Sequence, residues 1–328
     1  MRFATCYEVF SSRTGFGDGV RPRRRARVLS AALLPVLLGP PAAAQMTNLP
    51  TEVPTAIVQM GPRLDESISS RTYALMQPLQ APRADLVVDQ DVNYGEDPLQ
   101  KLDLYAPRSR AAETHPVIIF VHGGDFTGGD KRNGDNVAAY FARHGMLGVA
   151  MNYRLAPTVT WPEQSLDVGK AVSWLGVNAT RYGGDPHRMI VIGFSTGASV
   201  VASYIVDQSI QTTRDGVVGA VLMSGGFGYG SHKPVYYGED PAKAAERQPR
   251  AHINQSALPV LIVMAEFDPP NWAAESLELA AAICRRRAKC PPFLWLSGHN
   301  HISEAASIDT PDDRLGHEIL GFVGAVAK

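Results

Sequence analysis

The sequence predicts an α/β fold, with a mostly parallel central sheet and helices on both faces. Short continuous apolar runs such as Val117-Ile118-Ile119-Phe120-Val121 have the length and composition of strands buried on both sides. Between such runs lie longer stretches with apolar residues at helical spacing, for example Val168, Ala171, Val172, Leu175 and Ala179. Alternation of the two implies right-handed crossovers, which gather the functional loops at the carboxyl ends of the strands. The 328 residues are 45% hydrophobic and 19% charged, ample for a substantial core. A formal net charge of -1 argues against a nucleic-acid surface, which needs a concentrated excess of Lys and Arg.

Residues 1–44 differ from the rest. Arg21, Arg23, Arg24, Arg25 and Arg27 precede the apolar run Val28 to Leu38, then Gly39-Pro40-Pro41 and Ala42-Ala43-Ala44. This order predicts a secretory signal peptide cut after Ala44, too short to form a stable membrane span, and therefore a secreted or periplasmic protein. A disordered basic tail is the alternative. Export would remove Cys6 and leave Cys284 and Cys290 as an even pair in an oxidising compartment, where they are expected to bond.

Residues 45–95 are interrupted by Pro50, Pro54, Pro62, Pro78 and Pro82, which predicts short helices and coil serving as a cap. The catalytic domain is expected over 96–328. Its strands are read at Leu102–Tyr105, Val117–Val121, Met146–Tyr153, a run ending at Gly193, Val217–Met223, Pro259–Ala265 and Phe293–Leu296. Helices are read at about Pro162–Tyr182, after Ser195, through Leu277–Ile283 and at Asp312–Val326. Residues 225–254 form a long irregular insertion of the kind that builds lids or pocket walls.

Two motifs carry chemistry. Ser195 lies in Gly193-Phe194-Ser195-Thr196-Gly197, after the apolar run Met189–Ile192 and before a small-residue helix start. Glycines flanking such a serine let two backbones pass close together and present its hydroxyl on a strained strand-to-helix turn, a nucleophile elbow. Upstream, strand Val117–Val121 ends in His122-Gly123-Gly124-Asp125-Phe126, where a glycine pair can aim backbone N–H groups into a cavity; a plain tight turn is the other reading.

Together with Asn152-Tyr153-Arg154-Leu155-Ala156-Pro157, these motifs resemble the α/β-hydrolase esterases of the hormone-sensitive-lipase and carboxylesterase group. The C-terminal part resembles the related feruloyl-esterase-like and kynurenine-formamidase-like branch. The resemblance spans roughly residues 95–328. It implies the α/β-hydrolase fold, a small-molecule ester substrate, an acyl-enzyme route and no cofactor. It also implies an oxyanion hole made by the backbone N–H groups of Gly124, Asp125 and Thr196. Asp125 stands where the family often has a third glycine, and its carboxylate would oppose a developing negative charge, so it is expected to point away.

The nucleophile needs a base, and the base needs a carboxylate to orient it, in the chain order serine, acid, histidine. Asp268, after strand Pro259–Ala265, occupies the family's acid position. Glu266 competes for that role, and capping of the helix starting near Asn271 is a structural alternative for Asp268. His301-Ile302-Ser303 matches the family's histidine pattern, with His299 as the competitor; the spacing puts both in one short loop. A metal reading of this His-x-His pair lacks a ligand cluster to complete it. Arg154 and Asp167 match a family pair that ties a strand-end loop to the next helix. Phe126, Trp272 and Tyr236 lie where they can border a pocket or simply pack. An amidase or formamidase using the same triad is the enzymatic alternative, and a hydrolase-fold binding module is the alternative of another class.

Overall fold

A computed structural model describes residue 46 and residues 48–108, 113–228, 233–287 and 289–328. The signal peptide read over residues 1–44 lies outside them. Among the described residues eight strands form one sheet: β1 (Leu86–Asn93), β2 (Lys101–Pro107), β3 (His115–Val121), β4 (Leu147–Met151), β5 (Gly184–Phe194), β6 (Val217–Met223), β7 (Val260–Phe267) and β8 (Phe293–Asn300). Their order is β1-β2-β4-β3-β5-β6-β7-β8. The first two pairings, β1 with β2 and β2 with β4, are antiparallel, and all pairings from β4 through β8 are parallel.

Period-two alternation decides which side each strand residue serves. Val117, Ile119, Val121, Met189 and Val191 face one core, which also holds Val168 and Leu175 of α4 (Glu163–Asn178), Val200 and Tyr204 of α5 (Thr196–Val206) and Ile283 of α8 (Pro270–Arg287). Ile118, Phe120, Ile190 and Ile192 face the other, with Val137 and Phe141 of α3 (Asp135–Arg143) and Leu315 and Ile319 of α10 (Arg314–Val326). Both faces of the central strands are thereby dry, which is why their sequences read as unbroken apolar runs rather than alternating ones.

The segment before the sheet differs from expectation. Helices α1 (Glu52–Met60) and α2 (Glu66–Met76) are present, but 86–93 forms strand β1 instead of coil. Its polar stretch Asp89-Gln90-Asp91 hides the strand signal. A register shift between Asp89 and Val92 marks a bulge, with Asp91 at φ 55° and its N–H donating to Asp103 Oδ1 at 2.7 Å. Tertiary pairing with β2 overrides weak local propensity here. Helix α8 starts at Pro270, near the expected Asn271, and runs past Ile283 to Arg287, and β8 extends past Leu296 to Asn300. In the insertion, α6 (Pro234–Tyr237) and α7 (Pro241–Arg247) are short helices, and residues 229–232 lie outside the described set.

Cys284 and Cys290 are joined by a disulfide at the end of α8. Two buried ion pairs brace the sheet edge. Lys131 Nζ lies 2.9 Å from Asp103 Oδ2 beneath the bulge. Arg154 lies 2.6 Å from the fully buried Asp167 of α4, whose Oδ1 also accepts from Gln100 Nε2 at 2.7 Å, so the loop after β4 is tied to the next helix as expected. Without Asp167, Arg154 keeps only Glu163 at 2.7 Å and the Gln100 amide loses its acceptor. Asp167→Ala is expected to lower stability by about 3 kcal/mol, measured as a fall in the urea midpoint with an unchanged m-value.

Candidate active site

Close backbone crossing builds the nucleophile turn. A Cβ on Gly197 would lie 2.3 Å from the Val121 carbonyl oxygen, so the start of α5 can settle against the end of β3 only with glycine there. Ser195, between β5 and α5, has φ 57° and ψ -129°, a strained conformation for a residue with a side chain, and its N–H is anchored on Met223 O at 2.9 Å. Such strain persists only where the surroundings over-determine it, and here β5, β6 and α5 all converge on the turn.

The His122–Phe126 loop lies directly alongside. A Cβ on Gly123 would come within 2.5 Å of Ser195 Cβ. Gly124 has φ +134°, and its carbonyl accepts from Thr127 N (3.1 Å) and Gly128 N (2.8 Å), closing a tight turn through Asp125 and Phe126, which have φ 59° and 64°. Gly123, Gly124, Asp125 and Ser195 all line one cavity of about 620 Å³. Thr196 is the first residue of α5, where a backbone N–H has no partner within the helix. The Asp125 carboxylate does not simply turn away. It pairs with Lys233 at 2.9 Å, and both residues line the cavity, so its charge is balanced rather than removed.

His122 holds this loop from below. Its Nδ1–H donates to Gly123 O (2.7 Å), its ring stacks on Tyr153 at 4.5 Å, and the Tyr153 hydroxyl donates to His122 O at 2.7 Å. Burial pushes the imidazole down to about 4, so at neutral pH it is uncharged.

Asp268 and His301 meet behind Ser195. Asp268 sits in the bend between β7 and α8, and its Oδ1 is 2.8 Å from His301 Nδ1. Its Oδ2 accepts from Ala265 N (2.9 Å) and Ser224 Oγ (2.5 Å). His301 opens helix α9 (His301–Ala306), with Asn300 as its cap: Asn300 Oδ1 accepts from Ser303 N (2.9 Å) and Ser303 Oγ accepts from Asn300 N (3.0 Å). The imidazole is held between Phe194 (5.0 Å) and Trp272 (4.9 Å) and lines the same cavity as Ser195. Its Nε2 makes no hydrogen bond to a described residue, so the Ser195 hydroxyl is not bonded to it in this structure. Such contacts are commonly loose without substrate and tighten in the reacting complex.

Known proteins resemble this chain in fold and in part of its sequence. Esterase B from Lactobacillus rhamnosis superposes with a TM-score of 0.69 over 84% of this chain and 96% of that one, at 19% identity. The fold is that of the α/β-hydrolases. Residues 102–215 match the BD-FAE family model. Esterase LipC of Mycobacterium tuberculosis is 36% identical over 112 residues, 34% of this chain and 28% of that relative. The probable carboxylic ester hydrolase LipM of the same organism is 29% identical over 225 residues, 66% of this chain and 48% of the relative. The chain thus spans less than half the length of these curated relatives.

Within this fold the competing residues have other partners. Glu266 is exposed and accepts from Gly298 N at 2.7 Å. The oxygens of Asp268 go to His301, Ser224 and Ala265. The two histidines do not share a loop, because β8 continues through Asn300 by pairing Asn300 with Phe267. His299 therefore lies in the strand, fully buried, with Nε2 3.0 Å from Asp312 Oδ2. Of the three aromatics, Trp272 lines the cavity, whereas Phe126 and Tyr236 are buried and stacked on each other at 4.3 Å. Ser224 was not legible as a site residue. Its only local signal is its place at the end of β6, where φ 47° reveals a constrained turn.

His299→Ala, which leaves Asp312 buried without that partner, is expected to cost about 3 kcal/mol of stability in urea unfolding while the folded fraction keeps its turnover. A second expectation concerns acid. The unfolded His122 takes up its proton near pH 6.5 and the folded one only near 4, so the unfolded state binds more protons between those values and stability falls as pH drops through them, by about 3 kcal/mol in all. His122→Gln removes this contribution, so the pH 7 to pH 4 loss of stability in urea titrations should be smaller for the variant by that amount.

Proposed function

We propose that the protein is a serine hydrolase that cleaves carboxylic esters through an acyl-enzyme intermediate. The reading is carried by one observation: a strained elbow serine shares a cavity with a histidine whose far nitrogen is held by a buried carboxylate. Ser195 Oγ attacks the ester carbonyl carbon while His301 Nε2 takes its proton. Asp268 holds the Nδ1–H tautomer and steadies the imidazolium that forms. Backbone N–H groups of Gly124, Asp125 and Thr196 receive the oxyanion, each such donor contributing about 3 to 4 kcal/mol to the transition state. The imidazolium then returns the proton to the departing alcohol, and a water repeats the sequence to release the acid and free Ser195.

The relatives' names, esterase and carboxylic ester hydrolase, support the reaction class. The cavity has apolar walls from Leu64 and Tyr73 on the α1–α2 side and from Phe194, Trp272 and Ile302, with Lys233 entering from the insertion. Its size suits acyl and alcohol groups of small to medium length. The Cys284–Cys290 bond supports work in an oxidising compartment, consistent with an exported protein.

The test uses para-nitrophenyl esters of graded acyl length beside N-formyl aromatic amines. Turnover of the esters with a preference for short and medium chains is expected, and turnover confined to the formyl amines would make the protein a formamidase instead. Ser195→Ala should lower kcat about a millionfold; a variant that retains wild-type turnover would move the nucleophile elsewhere, and no turnover by the unaltered protein on either series would favour a binding module.

A further inference from the structure

A second carboxyl group lies behind Asp268, and the reaction above does not use it. Glu304 sits on α9 three residues after His301, is 0% exposed, and neither Oε atom makes a hydrogen bond to a described residue. A buried carboxyl group without a partner is costly, so its retention in a dry site calls for a reason. The polar groups that act on it are the Asp268 carboxylate and the Ser224 hydroxyl. Ser224 is buried, held at φ 47°, and anchored by its N–H on Val263 O at 2.9 Å. Its hydroxyl already donates to Asp268 Oδ2, and a hydroxyl that donates its one proton still has lone pairs to accept another.

We infer that Glu304 is a positioning residue for the catalytic pair: its carboxyl group, unbonded in this structure, donates when protonated to Ser224 Oγ, which donates to Asp268 Oδ2, and this chain fixes the carboxylate that orients His301. The inference rests on the esterase reading of the site. The chain requires a proton on Glu304. Burial, and next the facing Asp268 carboxylate, push the Glu304 carboxyl well above the usual carboxylate range. Two carboxyl groups meeting at one hydroxyl in a dry site do not both ionise, and Asp268 is the one ringed by donors, from Ala265 N, Ser224 Oγ and His301 Nδ1. Glutamine at position 304 keeps the shape and a donor without charge, whereas methionine keeps the volume and loses the donor.

The experiment compares Glu304→Gln, Glu304→Met, Ser224→Ala and the Met/Ala double variant in the full chain. kcat and KM are determined per active site, titrated with a para-nitrophenyl phosphonate, and the low-field proton of His301 Nδ1 is followed by NMR. Glu304→Met should lower kcat about tenfold, the loss of one hydrogen bond in a chain ending on a charged acceptor, with KM within about twofold. Glu304→Gln should stay within about threefold of the unaltered enzyme. The double variant should be no worse than the poorer single one, and the His301 proton should shift in Glu304→Met and Ser224→Ala but not in Glu304→Gln. Unchanged kcat and an unmoved proton in Glu304→Met would reduce Glu304 to packing, and equal damage from Gln and Met would exclude the donor role. Should Glu304→Met fail to fold, Gln judges the proposal alone: a shifted proton and a kcat loss beyond tenfold overturn it. The NMR readout needs no substrate, so a protein inactive on esters would sink the esterase reading while the Glu304 chain was still decided by the proton.

Discussion

The separation between the end of β3 and the start of α5 sets everything else at this site. The Gly197 backbone lies so near the Val121 and His122 carbonyl groups that a single methyl group would collide with both. That contact brings the Ser195 turn against the His122-Gly123-Gly124 loop, so the proposed nucleophile and backbone donors are placed by main chain rather than by flexible side chains. Main-chain placement costs little reorganisation when charge develops, which is where preorganised donors gain their effect. The same crossing explains why Gly123 faces Ser195 Cβ with no room for a side chain.

The sheet was readable because its central strands are dry on both faces. Runs such as Val117–Val121 and Met189–Ile192 have no polar residue to obscure them, and the order of strand and helix follows directly. What was hidden lies where pairing, not composition, decides. Strand β1 carries Asp89, Gln90 and Asp91 along an edge and exists because β2 offers a ladder and Asp103 receives the bulge amide. The end of β8 was cut short for a similar reason: Gly298, His299 and Asn300 look like loop residues, yet Phe267 pairs with Asn300 and carries the strand on.

At the site, the Ser195 turn and the His122-Gly123-Gly124 turn were legible because glycine spacing marks tight turns, whereas the donor roles of Gly124, Asp125 and Thr196 came from the family resemblance. Asp268 and His301 needed chain order and resemblance, and each had a rival two residues away. Three-dimensional partners separate them: Glu266 turns to Gly298 N and His299 to Asp312, while Asp268 and His301 turn to one another. Ser224 and Glu304 left no trace in the sequence, since a serine at a strand end and a glutamate in a short helix are ordinary until folding puts them beside the same carboxylate.

The pairing of Lys233 with Asp125 has a consequence for entry. It joins the insertion to the glycine loop across solvent, with 37% and 57% of the two side chains exposed, and bonds of that kind contribute about 0 to 1 kcal/mol. The doorway is therefore fastened by something an arriving molecule can displace at almost no thermodynamic expense, and dissolved salt will loosen it further. Rigidity belongs to the main chain of the two glycine turns, and compliance to this exposed pair at the rim.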